Sequence, residues 1–171
     1  MTEAKNVVVD RVKNAFPDQI LDVSENLGET AISVKRDKIV DILRFLKEDN
    51  ELKFDMFIDL CGVDYLEMGG FERFAVVYQL YSMEYNRRIR IKAFVPEGDE
   101  KIDSVVSLWA GANWAEREVF DMFGITFTNH PDLRRILCPD NFEGHPLKKD
   151  FPLEGIGYRE NFLKVTRENA Q

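Results

Sequence analysis

The chain has 171 residues, 44% of them apolar, which suits the core of one ordinary domain and leaves no room for a second. Its net charge of −8 is spread over both parts of the chain, 15 basic against 21 acidic residues in 1–112 and 8 against 10 beyond, so no basic patch exists to release counterions from a phosphate backbone and nucleic acid is excluded as a partner. Cys61 and Cys138 make no CxxC or metal-knuckle spacing and read as two reduced thiols, no window approaches the ~20 apolar residues of a membrane span, and MTEAKNVVVD at the start is neither a signal nor a transit peptide.

In chain order, Val8, Val9, Val12 and Phe16 mark an amphipathic first helix stopped at Pro17. Residues 19–23 and 30–35 then read as a hairpin around Asn26 and Gly28. Asp37 caps a second helix whose apolar face is Ile39, Ile42, Leu43 and Leu46. Residues 54–60 form a strand, Gly69-Gly70 a turn, and strands 73–81 and 88–95 pair across the Tyr85-Asn86 loop. In the last strand Ile89, Ile91, Ala93 and Val95 alternate with Arg88, Arg90 and Lys92, so one sheet face is apolar and the other is left to solvent or a partner. A third helix is expected at about 100–109. The predicted fold class is α+β: a two-layer domain, 1–112, with a mixed or antiparallel sheet covered by helices on one face, and no internal repeat or low-complexity segment.

Residues 113–153 hold both histidines, four of the six prolines and one of the two cysteines. They begin with a short helix, opened by Asn113 and Glu116 in capping-box spacing and closed by Gly124 as the left-handed C-terminal residue. Trp114, Ala115, Val119, Phe120, Met122 and Phe123 sweep around most of its cylinder, which predicts burial nearly all round. Arg117 and Asp121, spaced i,i+4, share the polar side, while Glu116 and Glu118 fall between apolar neighbours and are expected to be desolvated, with Arg134 and Arg135 as the nearest counter-charges. Prolines 131, 139, 146 and 152 then forbid a continuing helix or a central strand, so the chain runs on as a long extended arm. Phe127, Leu133, Ile136, Leu137, Phe142, Leu147, Phe151 and Leu153 stud it without period, so it either folds back on its own domain or lies across another protein, and the apolar helix favours the second. Residues 154–171 remain as a short tail.

EREVFDMFGITFTNHPDLRRIL followed by EGHPLKKDFPL, together with FDMFIDLCGVDYLE upstream, closely resembles the 30 kDa subunit family of proton-pumping NADH-quinone oxidoreductase, respiratory complex I. The resemblance covers roughly residues 5 to 153, with Lys148 where many relatives carry arginine. It implies a non-redox scaffold in the peripheral arm of the complex, docked against the neighbouring subunit that helps form the quinone site, on the cytoplasmic side of a bacterial inner membrane and attached there through its partners. It also implies that FMN, iron–sulfur clusters, NADH and quinone belong to the rest of the complex. Relatives in membrane-bound hydrogenases, formate hydrogenlyase and plastoquinone- or ferredoxin-linked complexes are the alternative. The docking surface expected on this basis comprises Glu116, Arg117, Glu118, Asp121, His130, Arg134, Arg135, His145 and Asp150.

The residues offer little for chemistry of the chain's own. His130, Cys138 and His145 fit no common zinc spacing and each histidine precedes a proline. Glu116 and Glu118, two apart on a helix, point about 200° apart and cannot flank one substrate as acid and base. The glycines at 69–70 and 155–157 lack the strand and helix context of a nucleotide loop. Two distant cysteines cannot ligate an iron–sulfur cluster, and Lys148-Lys149 beside Glu143 and Asp150 is a weak attraction for anionic lipid. No catalytic, cofactor or metal residue is therefore expected.

Overall fold

The structure of the chain, a computed structural model, describes residues 3–69 and 71–155. Gly70 and residues 156–171, which include most of the expected tail and the end of the second glycine stretch, lie outside the described residues.

Helix α1 (Glu3–Ala15) leads into the hairpin β1 (Ile20–Asn26) and β2 (Glu29–Lys35), then α2 (Ile39–Glu48). The strands β3 (Met56–Asp64), β4 (Phe74–Ser82) and β5 (Arg87–Val95) follow as a meander. The chain closes with a short strand β6 (Lys101–Asp103), helix α3 (Ala112–Phe123) and strand β7 (Thr126–Thr128). Five strands make one sheet in the order β1-β2-β5-β4-β3, antiparallel except where β2 pairs in parallel with β5.

The side-chain period of two decides which face of that sheet is covered. Ile89, Ile91, Ala93 and Val95 on β5, with Phe74, Val76, Tyr78 and Leu80 on β4, point into a core completed by Val8 and Val12 of α1, the four apolar residues of α2, and Val119, Met122 and Phe123 of α3. Arg88, Arg90 and Lys92 occupy the opposite, more open face. The architecture is the two-layer α+β arrangement expected, with all helices on one side.

Four local expectations give way to tertiary partners. Residues 100–109 are not a helix: β6 pairs in parallel with β7, Ser104 N–H donates to Thr128 O at 2.9 Å, and a hydrogen-bonded turn from Val105 to Trp109 follows. Ile102, Val105 and Trp109 are all buried, at spacings a helix face would share, but the strand that pairs with Ile102 lies about 25 residues ahead and out of reach of a local reading. Asp37 does not cap α2; it sits exposed in a single 3-10 turn and Lys38 occupies the cap position without a side-chain bond. The Asn113–Glu116 capping box is absent, because α3 starts two residues earlier, with Gly111 at the cap position, and the Glu116 side chain turns inward to Val105. Nor is α3 buried all round: Trp114 is 73% exposed and Glu118 is exposed. Its end is as expected, with Gly124 left-handed at φ 77 and its N–H donating to Phe120 O.

The packing of α3 against β3 requires one particular glycine. A Cβ on Gly62 would stand 2.5 Å from Cδ2 of Phe123, inside van der Waals contact with a ring that is itself buried in the core. Gly62→Ala should therefore cost about 1–3 kcal/mol by overpacking. Gly111→Ala, where the nearest side-chain atom is 3.9 Å away at an ordinary φ of −64, should be close to neutral, and urea unfolding of the two variants beside the wild type checks the contrast.

Candidate functional site

The end of α3 and the chain beyond it form one polar assembly, and Asp121 is its centre. Residues 129–155 contain no helix or strand, so their backbone N–H groups need acceptors from elsewhere. Asp121, fully buried, supplies them: Oδ2 accepts N–H from Ile136, Leu137 and Cys138 at 3.0, 2.8 and 2.8 Å, and Oδ1 accepts Arg135 Nη1 at 2.6 Å. Burial pushes this carboxyl up, but the three N–H donors and the Arg135 guanidinium outweigh it and hold it down at about 2. The expected partnership of Asp121 with Arg117 is replaced. Arg117 instead donates to the carbonyls of Arg134 and Arg135, both at 3.1 Å, and so clamps the same stretch from the next turn of the helix.

The clamp continues along the arm. Arg135 Nη2 donates to Gly144 O at 3.0 Å, and His145 Nδ1 lies 2.9 Å from the Asp121 carbonyl with its ring edge toward Phe120. Burial lowers His145, with the hydrogen bond to the Asp121 carbonyl opposing. That ring also sets Gly124, since a Cβ there would fall 2.7 Å from His145 Cδ2. Leu147 N–H donates to Met122 O, and Lys149 N–H to Asp64 Oδ2 at the end of β3. Arg73 joins Asp64, Asp150 and Glu97, with Asp150 at 2.8 Å, and its charge holds both Asp64 and Asp150 below the usual carboxylate range, against the burial of Asp64.

The nine expected docking residues thus divide. Arg117, Asp121, Arg135 and His145 come together at the clamp, and Asp150 joins it through Arg73 and Asp64. His130 lies at the root of the arm, its Nε2 3.2 Å from Asn113 O and its Nδ1 accepting the Asp132 N–H. Arg134 pairs with Asp132 at the surface and Glu118 is exposed, so neither supplies or needs a buried counter-charge. Glu116 meets no arginine; its Oε1 accepts Val105 N–H at 2.7 Å, and burial drives it up to about 7, with the Ser104 hydroxyl and that N–H opposing. Glu116 and Asp121 are both 0% exposed and support the surface from within.

While the backbone is tied inward, large apolar side chains face out. Trp114 on α3 and Ile136, Leu137, Leu147 and Leu153 on the arm are exposed, whereas Phe127 and Leu133 pack on the core and Phe142 stacks on Phe151 at 5.9 Å. The arm therefore folds back on its own domain and still offers part of its apolar content to another surface. Sequence reasoning missed Arg73, Asp64 and Val105. Nothing local marks them, because their partners lie up to 85 residues away. Among the described residues no three His, Cys, Asp or Glu groups are arranged to hold a metal ion, and no helix is long and apolar enough to cross a membrane.

Residues 32–156 match the family described as "Respiratory-chain NADH dehydrogenase, 30 Kd subunit". The chain belongs to this family. Relatives described as subunits of NADH-quinone oxidoreductase include one from Geobacter sulfurreducens, 52% identical over 88% of this chain and 91% of its own length, and one from Hyphomonas neptunium, 49% identical over 90% and 75%. Among solved structures, a trypsin-resistant fragment of Nqo5 superposes with a TM-score of 0.66 at 32% identity, covering 76% of this chain and 99% of that one. A chain of the membrane-bound sulfane sulfur reductase, an archaeal respiratory membrane complex, superposes at 0.72 over 87% and 86%, and at 24% identity that likeness is one of fold. This member of the 30 kDa family is part of a respiratory complex, and the clamp on Asp121 lies inside the matched region.

The depressed carboxyl of Asp121 makes the clamp acid-labile. A group held below its unfolded value of 3.8 contributes stability that is present above that value and is lost as pH falls through about 2. The contribution is about 2 kcal/mol at neutral pH. Asp121→Asn should cost on the order of 3 kcal/mol at pH 7, because Arg135 loses its counter-charge in a buried setting, and should flatten the acid limb of stability against pH. Glu118→Gln, on the exposed side, should stay within about 0.5 kcal/mol of wild type. Urea unfolding between about pH 2 and 7 measures both.

Proposed function

We propose that this chain is a non-redox scaffold of the peripheral arm of an NADH-quinone oxidoreductase, with residues 113–153 as its docking segment and 1–112 as the domain that carries it. The observation behind this reading is the inverted arrangement of the arm. Its polar backbone is tied to Asp121, Met122 and Asp64, while Trp114, Ile136, Leu137 and Leu147 face away from the chain. An exposed tryptophan and exposed leucines, the leucines on a support held by hydrogen bonds, are residue types found in an interface core. In this reading the partner is the neighbouring subunit that helps form the quinone site, and FMN, iron–sulfur clusters, NADH and quinone sit elsewhere in the complex. Electrons pass this chain by, it contributes no catalytic group to proton translocation, and it is held on the cytoplasmic side of a bacterial inner membrane by its neighbours.

The relatives named as parts of NADH-quinone oxidoreductase support the assignment to that complex rather than to another respiratory assembly. The trypsin-resistant Nqo5 fragment, which aligns with 76% of this chain, supports a stable folded domain.

Trp114→Ala and Leu137→Glu test the surface without disturbing the clamp. Loss of an interface anchor costs about 2 kcal/mol or more, so each should lower the amount of assembled complex in membranes at least about tenfold on native gels. NADH-to-quinone turnover per bound flavin of the complex that does assemble should stay near normal. Leu27→Ser, at the 99% exposed tip of the β1–β2 hairpin, should leave assembly unchanged. Full assembly with turnover abolished in the Trp114 or Leu137 variant would overturn the scaffold reading.

A further inference from the structure

Glu116 is a buried carboxyl for which docking has no use. It lies where four parts of the fold meet: helix α3, strand β4 through Tyr78, residues 104–105 between β6 and α3, and the root of the arm through His130. Its Oε1 accepts the Val105 N–H, while Oε2 has no hydrogen-bond partner among the described residues, and neither has the hydroxyl of Tyr78, whose side chain is fully buried. His130 Nε2 stands 4.0 Å from Oε2. Because Nδ1 of that ring accepts the Asp132 N–H, the hydrogen-bond network assigns the hydrogen of the neutral ring to Nε2, directed at Asn113 O. The charge of Asp103 also acts on Tyr78, and no Lys or Arg forms an ion pair with Glu116 among the described residues.

These neighbours suit a carboxylic acid better than a carboxylate. An ionised carboxylate offers about four acceptor sites and here meets one backbone N–H and one serine hydroxyl. Asp121, five residues on and equally buried, meets three N–H groups and a guanidinium. With Oε2 unpartnered and no Lys or Arg paired with it among the described residues, an ionised Glu116 has far less to hold its charge in the interior than Asp121 has.

We infer that Glu116, which lies between Tyr78 and His130, is itself an internal proton-binding site at the root of the arm, holding a proton while residues 104–113 are closed over it and releasing it as that packing opens. Burial sets the carboxyl at about 7 in the closed form, against an ordinary 4.5. The sign follows: a folded value above the unfolded one stabilises the closed form below about 4.5, and the benefit is lost as pH rises through about 7. The site therefore changes occupancy across the neutral range, in the opposite sense to the Asp121 clamp.

The test uses the full purified chain and the proton itself as ligand. Carbon-13 NMR of labelled glutamate should give the Glu116 carboxyl a midpoint near 7. Exchange of the Val105 amide, corrected for intrinsic rate, should accelerate about tenfold between about pH 6 and 8, because the open form ionises freely and the closed form does not. In Glu116→Gln, which keeps the shape and cannot ionise, that profile should be flat, and in His130→Gln it should persist. A midpoint below about pH 5, coincident wild-type and Glu116→Gln profiles, or loss of the dependence in His130→Gln overturns the inference. If Glu116→Gln does not fold, the wild-type midpoint decides alone.

Discussion

A single buried carboxylate organises the arm that follows α3. A proline-rich stretch cannot satisfy its N–H groups in a helix or a central strand, and it cannot bury them unpaired without a cost of about 1–3 kcal/mol each. Asp121 resolves the conflict by accepting three consecutive N–H groups and Arg135 at one point on α3. The geometry of the arm follows from that. Once residues 136–138 present their backbone to the helix, the side chains of Ile136 and Leu137 are left exposed. An apolar cluster in place of Asp121 would hold those side chains inward and leave the N–H groups stranded, so the polar clamp and the apolar outer surface are two consequences of one choice.

Glu116 and Asp121 lie five residues apart on the same helix, have the same functional group and are both fully buried, yet burial wins for one and loses for the other. The count of donors decides it. A carboxylate loses several kcal/mol of hydration on entering the interior, and each charge-assisted hydrogen bond returns about 1.5–3 kcal/mol, so three N–H groups with a guanidinium more than offset the loss while one N–H with a hydroxyl does not. Asp121 is thus a fixed charge and Glu116 a titrating one. The stability of the domain is bounded by the first at acid pH and reduced by the second as pH rises from about 4.5 to about 7.

Much of this was legible in the sequence wherever a pattern is local. The alternation of Ile89, Ile91, Ala93 and Val95, the apolar face of α2 and the Gly124 stop all appear as read, because period and left-handed geometry are properties of neighbouring residues. The exchange of residues 100–109 from helix to strand and turn was not legible, since β7 competes for Ile102 from across α3. Glu116 in capping-box spacing was misleading for a similar reason: the Val105 N–H is a better-placed donor to its side chain than the start of a helix that begins two residues earlier. Pairing was not legible from spacing: Arg117 stands i,i+4 from Asp121, and Arg134 and Arg135 were the expected counter-charges of Glu116 and Glu118, yet the path of the arm brings Arg135 to Asp121.

In the scaffold reading proposed above, position is what the chain contributes, and a short series of contacts holds that position. The arm is tied to α3 at Asp121 and Met122 and to the end of β3 at Asp64, and α3 is in turn set against β3 by the close approach of Phe123 to Gly62. The exposed Trp114 and Leu137 therefore ride on the sheet through a short series of packed and hydrogen-bonded contacts rather than on a free loop. Ordering a flexible segment on binding costs roughly 0.5–1.5 kcal/mol per immobilised side chain, a cost that a pre-formed support removes from the docking step. A scaffold that met its partner with a loose arm would spend its apolar contacts on ordering itself; one clamped in advance keeps them for the interface.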